Sequence, residues 1–132
     1  MVDVVHMIFA QDNQVLLGYR ENTRRLSNLW GLPSGRVEAD ESPTQAAIRE
    51  AQEEVGVKVT SLSLICDIFD ENEGICHYVF YCHEWQGQLR NAEPHLCREI
   101  RWYPAKALPS NCTSVTYPAI NHFVELLSTL TH

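Results

Sequence analysis

Residues 42–57, Ser-Pro-Thr-Gln-Ala-Ala-Ile-Arg-Glu-Ala-Gln-Glu-Glu-Val-Gly-Val, constrain this chain more than any other stretch. Ser42 suits the N-cap, Pro43 suits the first helical position, and Gly56 can stop a helix in the left-handed region, so the segment predicts a helix over 43–55. Ala47, Ala51 and Val55 recur every fourth residue with Ile48 beside them, a stripe made to lie on a sheet. Glu50, Glu53 and Glu54 stand at i, i+3 and i+4 and share the adjoining stripe. Three like charges repel there, and near a helix C-terminus they also oppose the macrodipole, each effect being worth a few tenths of a kcal/mol to about 1 kcal/mol. A hard divalent cation reverses that sign, because Mg²⁺ takes oxygen ligands and is commonly shared between carboxylates and substrate phosphates. On the glutamates alone, a solvated acidic helix face is an equal reading.

Around this helix the pattern is strand-rich. Val4 to Ala10 and Val15 to Tyr19 are apolar runs joined by Gln11-Asp12-Asn13-Gln14, which predicts a hairpin of two buried strands. Glu21 to Asn28 is polar and basic. Leu29-Trp30-Gly31-Leu32-Pro33-Ser34-Gly35 has the composition of a shaped loop. Val57 to Phe69 and Ile75 to Trp85 predict two long strands turned by residues 70–74, and Glu99 to Tyr103 predicts a short one. Ile120, Phe123, Val124, Leu127 and Leu130 fall at helical spacing and predict a closing helix over 117–130. The order ββ(loop)αββ(β)α, with short turns between strand pairs, predicts a mixed β-sheet with helices on both faces, an α/β/α sandwich.

At 132 residues the chain is expected to form one domain, 1–132. Ten Lys and Arg against 17 Asp and Glu give a net charge of −7, which argues against polymeric DNA or RNA as a partner and requires a local cation for any small anionic one. No apolar run approaches the roughly 18 residues needed to span a bilayer, and the first residues lack a basic signal-peptide start, so a cytoplasmic location is expected. Five cysteines without a C-x-x-C fit reduced thiols. Cys76-His77 and Cys82-His83 lie too far apart along one strand, about 20 Å, to share a zinc ion.

Gly35, Glu41, Arg49-Glu50, Glu53-Glu54 and Gly56-Val57 fall at the spacing G-x5-E-x7-R-E-U-x-E-E-x-G-U, where U is aliphatic and Ala51 fills the first such position. This resembles the Nudix box, and with the preceding Leu29 to Ser34 and the order of elements the chain resembles the MutT-like subgroup of the Nudix hydrolases. A pattern of this many fixed residues and gaps is far more specific than a lone glycine motif.

The resemblance implies a Nudix-type α/β/α sandwich and Mg²⁺- or Mn²⁺-dependent hydrolysis of a nucleoside di- or triphosphate derivative, including an oxidised dNTP cleaved to a monophosphate and pyrophosphate. Cleavage of ADP-ribose or another nucleotide sugar is one alternative, and a nucleotide-binding module without turnover is another. The implied metal ligands are Glu50, Glu53, Glu54, the main-chain carbonyl of Ser34 and Glu93; the catalytic set is Glu50, Glu53, Glu54 and Glu93, with Arg49 orienting the glutamates and Glu41 either pairing with Arg49 or standing in the outer shell of the metal. Ser34 stands where the family usually has glycine, and Leu96 where one subgroup has lysine. Arg20 and Arg24 are candidates for the phosphate chain, since guanidinium grips phosphate oxygens in a fork. Trp30 is a candidate to stack on a base, as are Trp85 and Tyr117, and Asn111 to read one. The proline and the tyrosine that mark ADP-ribose and dinucleoside polyphosphate hydrolysis are absent, Glu71, Asn72 and Glu73 occupying that stretch. The expected partner is a small nucleotide and the expected assembly a monomer or homodimer.

Overall fold

A computed structural model describes residues 1–130, with the side chain of Leu130 and residues 131–132 outside the described part. In chain order the elements are β1 (Val2–Ile8), β2 (Ala10–Gln11), β3 (Gln14–Arg20), β4 (Trp30–Gly31), β5 (Ser34–Arg36), α1 (Pro43–Val55), β6 (Lys58–Asp70), β7 (Ile75–Gln86), β8 (Cys97–Pro104) and α2 (Thr116–Leu130). One sheet runs β5-β1-β7-β6, mixed because β1 lies parallel to β7 while its other pairs are antiparallel. A smaller antiparallel sheet is centred on β3, which pairs with β2, β4 and β8. The helices cover two cores, giving the α/β/α sandwich.

The expected hairpin between the first two apolar runs is mostly replaced by something else. β1 pairs along its whole length with β7, and only Ala10 and Gln11 fold back on Val15 and Gln14. The chain leaves one sheet and enters the other at Phe9. The turn residues Asp12 and Asn13 both take positive φ, 49° and 65°, the requirement of a two-residue hairpin turn. The apolar run on β1 is nearly continuous because helices cover both of its faces: Val5, Met7 and Phe9 pack with the alanines of α1, and Ile8 packs with Ala119, Ile120 and Phe123 of α2.

Helix α1 forms as its ends dictate. Ser42 accepts the Gln45 amide, Gln45 returns a bond to the Ser42 amide, and Gly56 closes the helix at φ 71°. Ala46, Ala47 and Ala51 are fully buried, which brings the helix backbone close to the sheet. That close seat matters for function, because it fixes how far the carboxylates of the next stripe reach.

Replacing Ser42 by Ala should remove the reciprocal cap and cost about 1 kcal/mol. A urea titration should show a lowered midpoint with an unchanged slope.

Candidate active site

The glutamates of α1 face a cleft of about 320 Å³ walled by the helix, the 31–34 segment and residues 93–97. Glu53 is exposed, Glu50 is mostly covered, and Glu54 turns its carboxylate inward, where Oε2 accepts the Ser34 amide at 2.9 Å. The shaped loop makes this possible: Trp30 and Gly31 pair with β3 in one sheet, Ser34 and Gly35 pair with β1 in the other, and Leu32-Pro33 crosses between them. The Met7 amide holds the crossing through the Pro33 carbonyl at 2.9 Å. Ser34 lies in β5 outside the left-handed region, so serine fits where glycine is usual.

Gly35 is needed for a different reason. A Cβ built there would collide with the Glu50 carboxylate, so the missing side chain is the seat of that group. Arg49 holds Glu50 from the other side. Its Nη1 donates to Glu50 Oε1 at 2.7 Å and to Glu53 Oε2 at 3.2 Å, its Nε and Nη2 fork onto Glu41 at 2.8 and 2.9 Å, and Nη2 also reaches the Arg36 carbonyl at 2.9 Å. The fork raises the proton affinity of Arg49 further and holds the Glu41 carboxyl down at about 2, helped by the Glu38 amide.

The inner carboxylates shift the other way. Burial, opposed by Arg49, pushes the Glu50 carboxyl above its usual range. Glu54 is pushed well above it, first by burial and then by the Glu50 and Glu93 charges, with the Ser34 amide and Arg20 pulling back. Two inward carboxylates that resist ionisation, seated on a glycine and an amide, form an oxygen donor set that suits a hard cation. Among the described residues no three His, Cys, Asp or Glu side chains already stand as a closed ion cage; one oxygen each of Glu50 and Glu54 is engaged by the Arg49 guanidinium and the Ser34 amide.

The residues implied from the sequence divide in two. Glu93 lines the cleft opposite the helix, in a loop tied to the end of α1 by Arg90 and Ala92 amides on the Val55 and Glu54 carbonyls, both at 3.0 Å. Arg20 lines it as well, its guanidinium held by the Leu26 and Arg25 carbonyls at 3.1 Å. Arg24 is exposed and lies outside the cleft. Trp30 is 7% exposed and wedged edge-on between Tyr19 and Tyr103, a core residue with no face left for a base. Asn111 is exposed and meets the Trp30 amide through its own carbonyl; its side chain is not at the cleft. Trp85 packs edge-on against Phe9, and the Tyr117 hydroxyl is committed to the Pro109 carbonyl and the Cys112 amide.

Several cleft residues carried no signal in the sequence. Gly18, Thr23 and Ile100 arrive from β3, a loop and β8, and a Cβ at Gly18 would stand 3.0 Å from Cys97 Sγ. A second cleft gathers His6 and His77 from β1 and β7.

A NUDIX domain profile matches residues 1–123. The chain belongs to the Nudix family. It is 30% identical over 129 residues to the CTP pyrophosphohydrolase of Escherichia coli (strain K12), covering 96% of this chain and 93% of that one. It is 31% identical over 85 residues to the 8-oxo-dGTP diphosphatase of Proteus vulgaris, covering 63% and 76%. Of a longer Caenorhabditis elegans Nudix relative it spans 27%. The crystal structure of the MutT NUDIX hydrolase from Burkholderia pseudomallei superposes with a TM-score of 0.82 at 27% identity, over 92% of this chain and 96% of that one.

Gly35→Ala should displace the Glu50 carboxylate and lower the hydrolase's turnover on the order of a hundredfold, the usual penalty for a catalytic group moved by about 1 Å. Steady-state kinetics beside a circular dichroism spectrum check it; the spectrum should remain that of the parent protein.

Proposed function

We propose that this Nudix protein is a Mg²⁺- or Mn²⁺-dependent pyrophosphohydrolase that cleaves a nucleoside triphosphate, including oxidised dNTPs, to the monophosphate and pyrophosphate. The observation that carries it is the inward pair Glu50 and Glu54, seated on Gly35 and the Ser34 amide and facing Arg20 across one cleft. The relatives named for CTP and 8-oxo-dGTP hydrolysis support a nucleotide with a phosphoanhydride as the substrate class.

Glu50, Glu54 and the Ser34 carbonyl would hold the ion, with Glu53 and Glu93 at the rim of the same cleft. When bound, the ion neutralises phosphate oxygens and lowers the pKa of coordinated water. The chain's own groups do the rest. Arg20, its guanidinium held by two carbonyls through Nε and Nη2, offers a cation to the phosphate chain in a protein of net charge −7. Glu53 and Glu93, which line the cleft beside the inner pair, are the carboxylates placed to take the proton of the attacking water. Arg49 and Glu41 keep Glu50 oriented, and Leu32, Val55 and Ile100 give the cleft an apolar wall that limits bulk water.

Release of pyrophosphate from a panel of nucleoside triphosphates in Mg²⁺ tests the reading, with AMP release from ADP-ribose as the contrast. Pyrophosphate from the first and little AMP from the second is the expected result; the reverse contradicts it.

The raised proton affinity of the inner carboxylates makes stability depend on pH. A carboxyl whose folded pKa is raised stabilises the fold fully below its unfolded value and loses that contribution as pH rises through the folded one. Glu54→Gln removes the charge but keeps the shape and the hydrogen-bonding oxygen. In the metal-free protein near pH 8, this variant should melt at a higher temperature than the parent, the gap closing toward pH 4. Added Mg²⁺ should raise the parent's melting temperature and leave the variant's nearly unchanged, while turnover of the variant falls by orders of magnitude. Thermal scans at the two pH values, with and without the ion, decide the matter.

A further inference from the structure

Residues 87–97 carry Glu93 from the end of β7 to the start of β8, and their main chain is docked on the last turn of α1. The Arg90 and Ala92 amides donate to the Val55 and Glu54 carbonyls at 3.0 Å, satisfying oxygens that a helix end leaves without partners. Arg90 also lies over Gly56, where a Cβ would stand 2.8 Å from its Nε, so that glycine seats this segment as well as stopping the helix. On the other side the Glu21 amide holds the Leu96 carbonyl at 3.0 Å, and the Asn22 side chain holds the His95 carbonyl at 3.1 Å.

Between these anchors Asn91 bridges the turn. Its Oδ1 accepts the Glu93 amide at 3.2 Å, and its Nδ2 donates to the Cys97 carbonyl at 2.7 Å. The Glu93 carbonyl accepts the Leu96 and Cys97 amides at 2.9 and 3.0 Å, so both main-chain groups of Glu93 are held. A bond from an Asn side chain to the amide two residues on fixes the backbone locally, and with it the direction in which the clamped side chain departs. That matters here because the charge of Glu93 helps to raise the proton affinity of Glu54: the two carboxylates repel. A loose segment would relieve the repulsion by swinging Glu93 out to water.

We propose that Asn91 is a positioning residue for hydrolysis: by clamping the Glu93 main chain it keeps the Glu93 carboxylate in the cleft against the repulsion of Glu54. The inference rests on the pyrophosphohydrolase reading above and adds to it a residue outside the cleft lining, which acts through Glu93 rather than on the substrate.

The test uses the triphosphate that the parent cleaves fastest. Asn91→Ala should lower kcat about tenfold or more, as a displaced catalytic group does, and leave KM within about twofold of the parent's. Asn91→Ser, whose hydroxyl makes the same bond to the second amide more weakly, should fall between the two. In a Glu93→Gln background the carboxylate is gone, and adding Asn91→Ala should cost no further activity, whereas a residue that only stabilised the fold would lower both backgrounds alike. Amide hydrogen exchange gives a reading that needs neither turnover nor an ion: the Glu93 amide should exchange faster in Asn91→Ala while the Ala47 and Ala51 amides of α1 keep the parent's protection. Equal losses in the two backgrounds, a raised KM with kcat unchanged, or a Glu93 amide whose exchange does not respond to Asn91→Ala would each overturn the proposal. If the parent hydrolyses no triphosphate, the hydrolase reading fails by that result, and the exchange measurement decides separately whether Asn91 holds Glu93.

Discussion

Putting the Glu54 carboxylate beneath a sheet is the constraint on which the rest of this structure depends. A carboxylate taken from water must be compensated or it stays protonated. Here the compensation is deliberately incomplete: one amide from Ser34 and the distant charge of Arg20 pull one way, burial and the Glu50 and Glu93 charges the other. That residual cost is what the proposed ion would relieve. An arrangement fully satisfied by protein donors would have little to gain from a cation, and one fully solvated would have little affinity for it.

The scaffold makes that imbalance tolerable by keeping it local. The alanine face of α1 lets the helix lie close to β1, the glycine at 35 leaves room for Glu50, and the Ser34 amide is delivered by a crossing segment that belongs to both sheets. Arg49 is the counterweight. Its fork onto Glu41 anchors the guanidinium, whose Nη1 then holds Glu50 in a fixed orientation. Removing charge from the inner pair and preserving activity are thus opposed demands, a conflict expected where a site is built at the expense of stability.

Local chemistry was readable without coordinates. The ends of α1, the glutamate stripe, the turn at 70–74 and the final helix depend on contacts within a few residues, and such contacts leave a periodic or capping pattern. What misled was the first apolar run. Its residues suit a buried strand, but whether the partner is the next strand or a distant one depends on β7, and Val2 to Ile8 chose β7. Trp30 misled in the same way: an aromatic in a shaped loop fits a base-stacking role until Tyr19 and Tyr103 pack against it and bury it.

The amino-acid order by itself determined the family and the helix that bears the carboxylates, because spacing along one helix converts directly into geometry. Only the tertiary structure decided which carboxylates turn inward, that Ser34 gives an amide to Glu54, that Arg20 reaches the cleft and Arg24 does not, and that two histidines 71 positions apart share a proton. Those facts depend on strands meeting across the sheet, and pairing between distant segments leaves no repeat in the chain to be read.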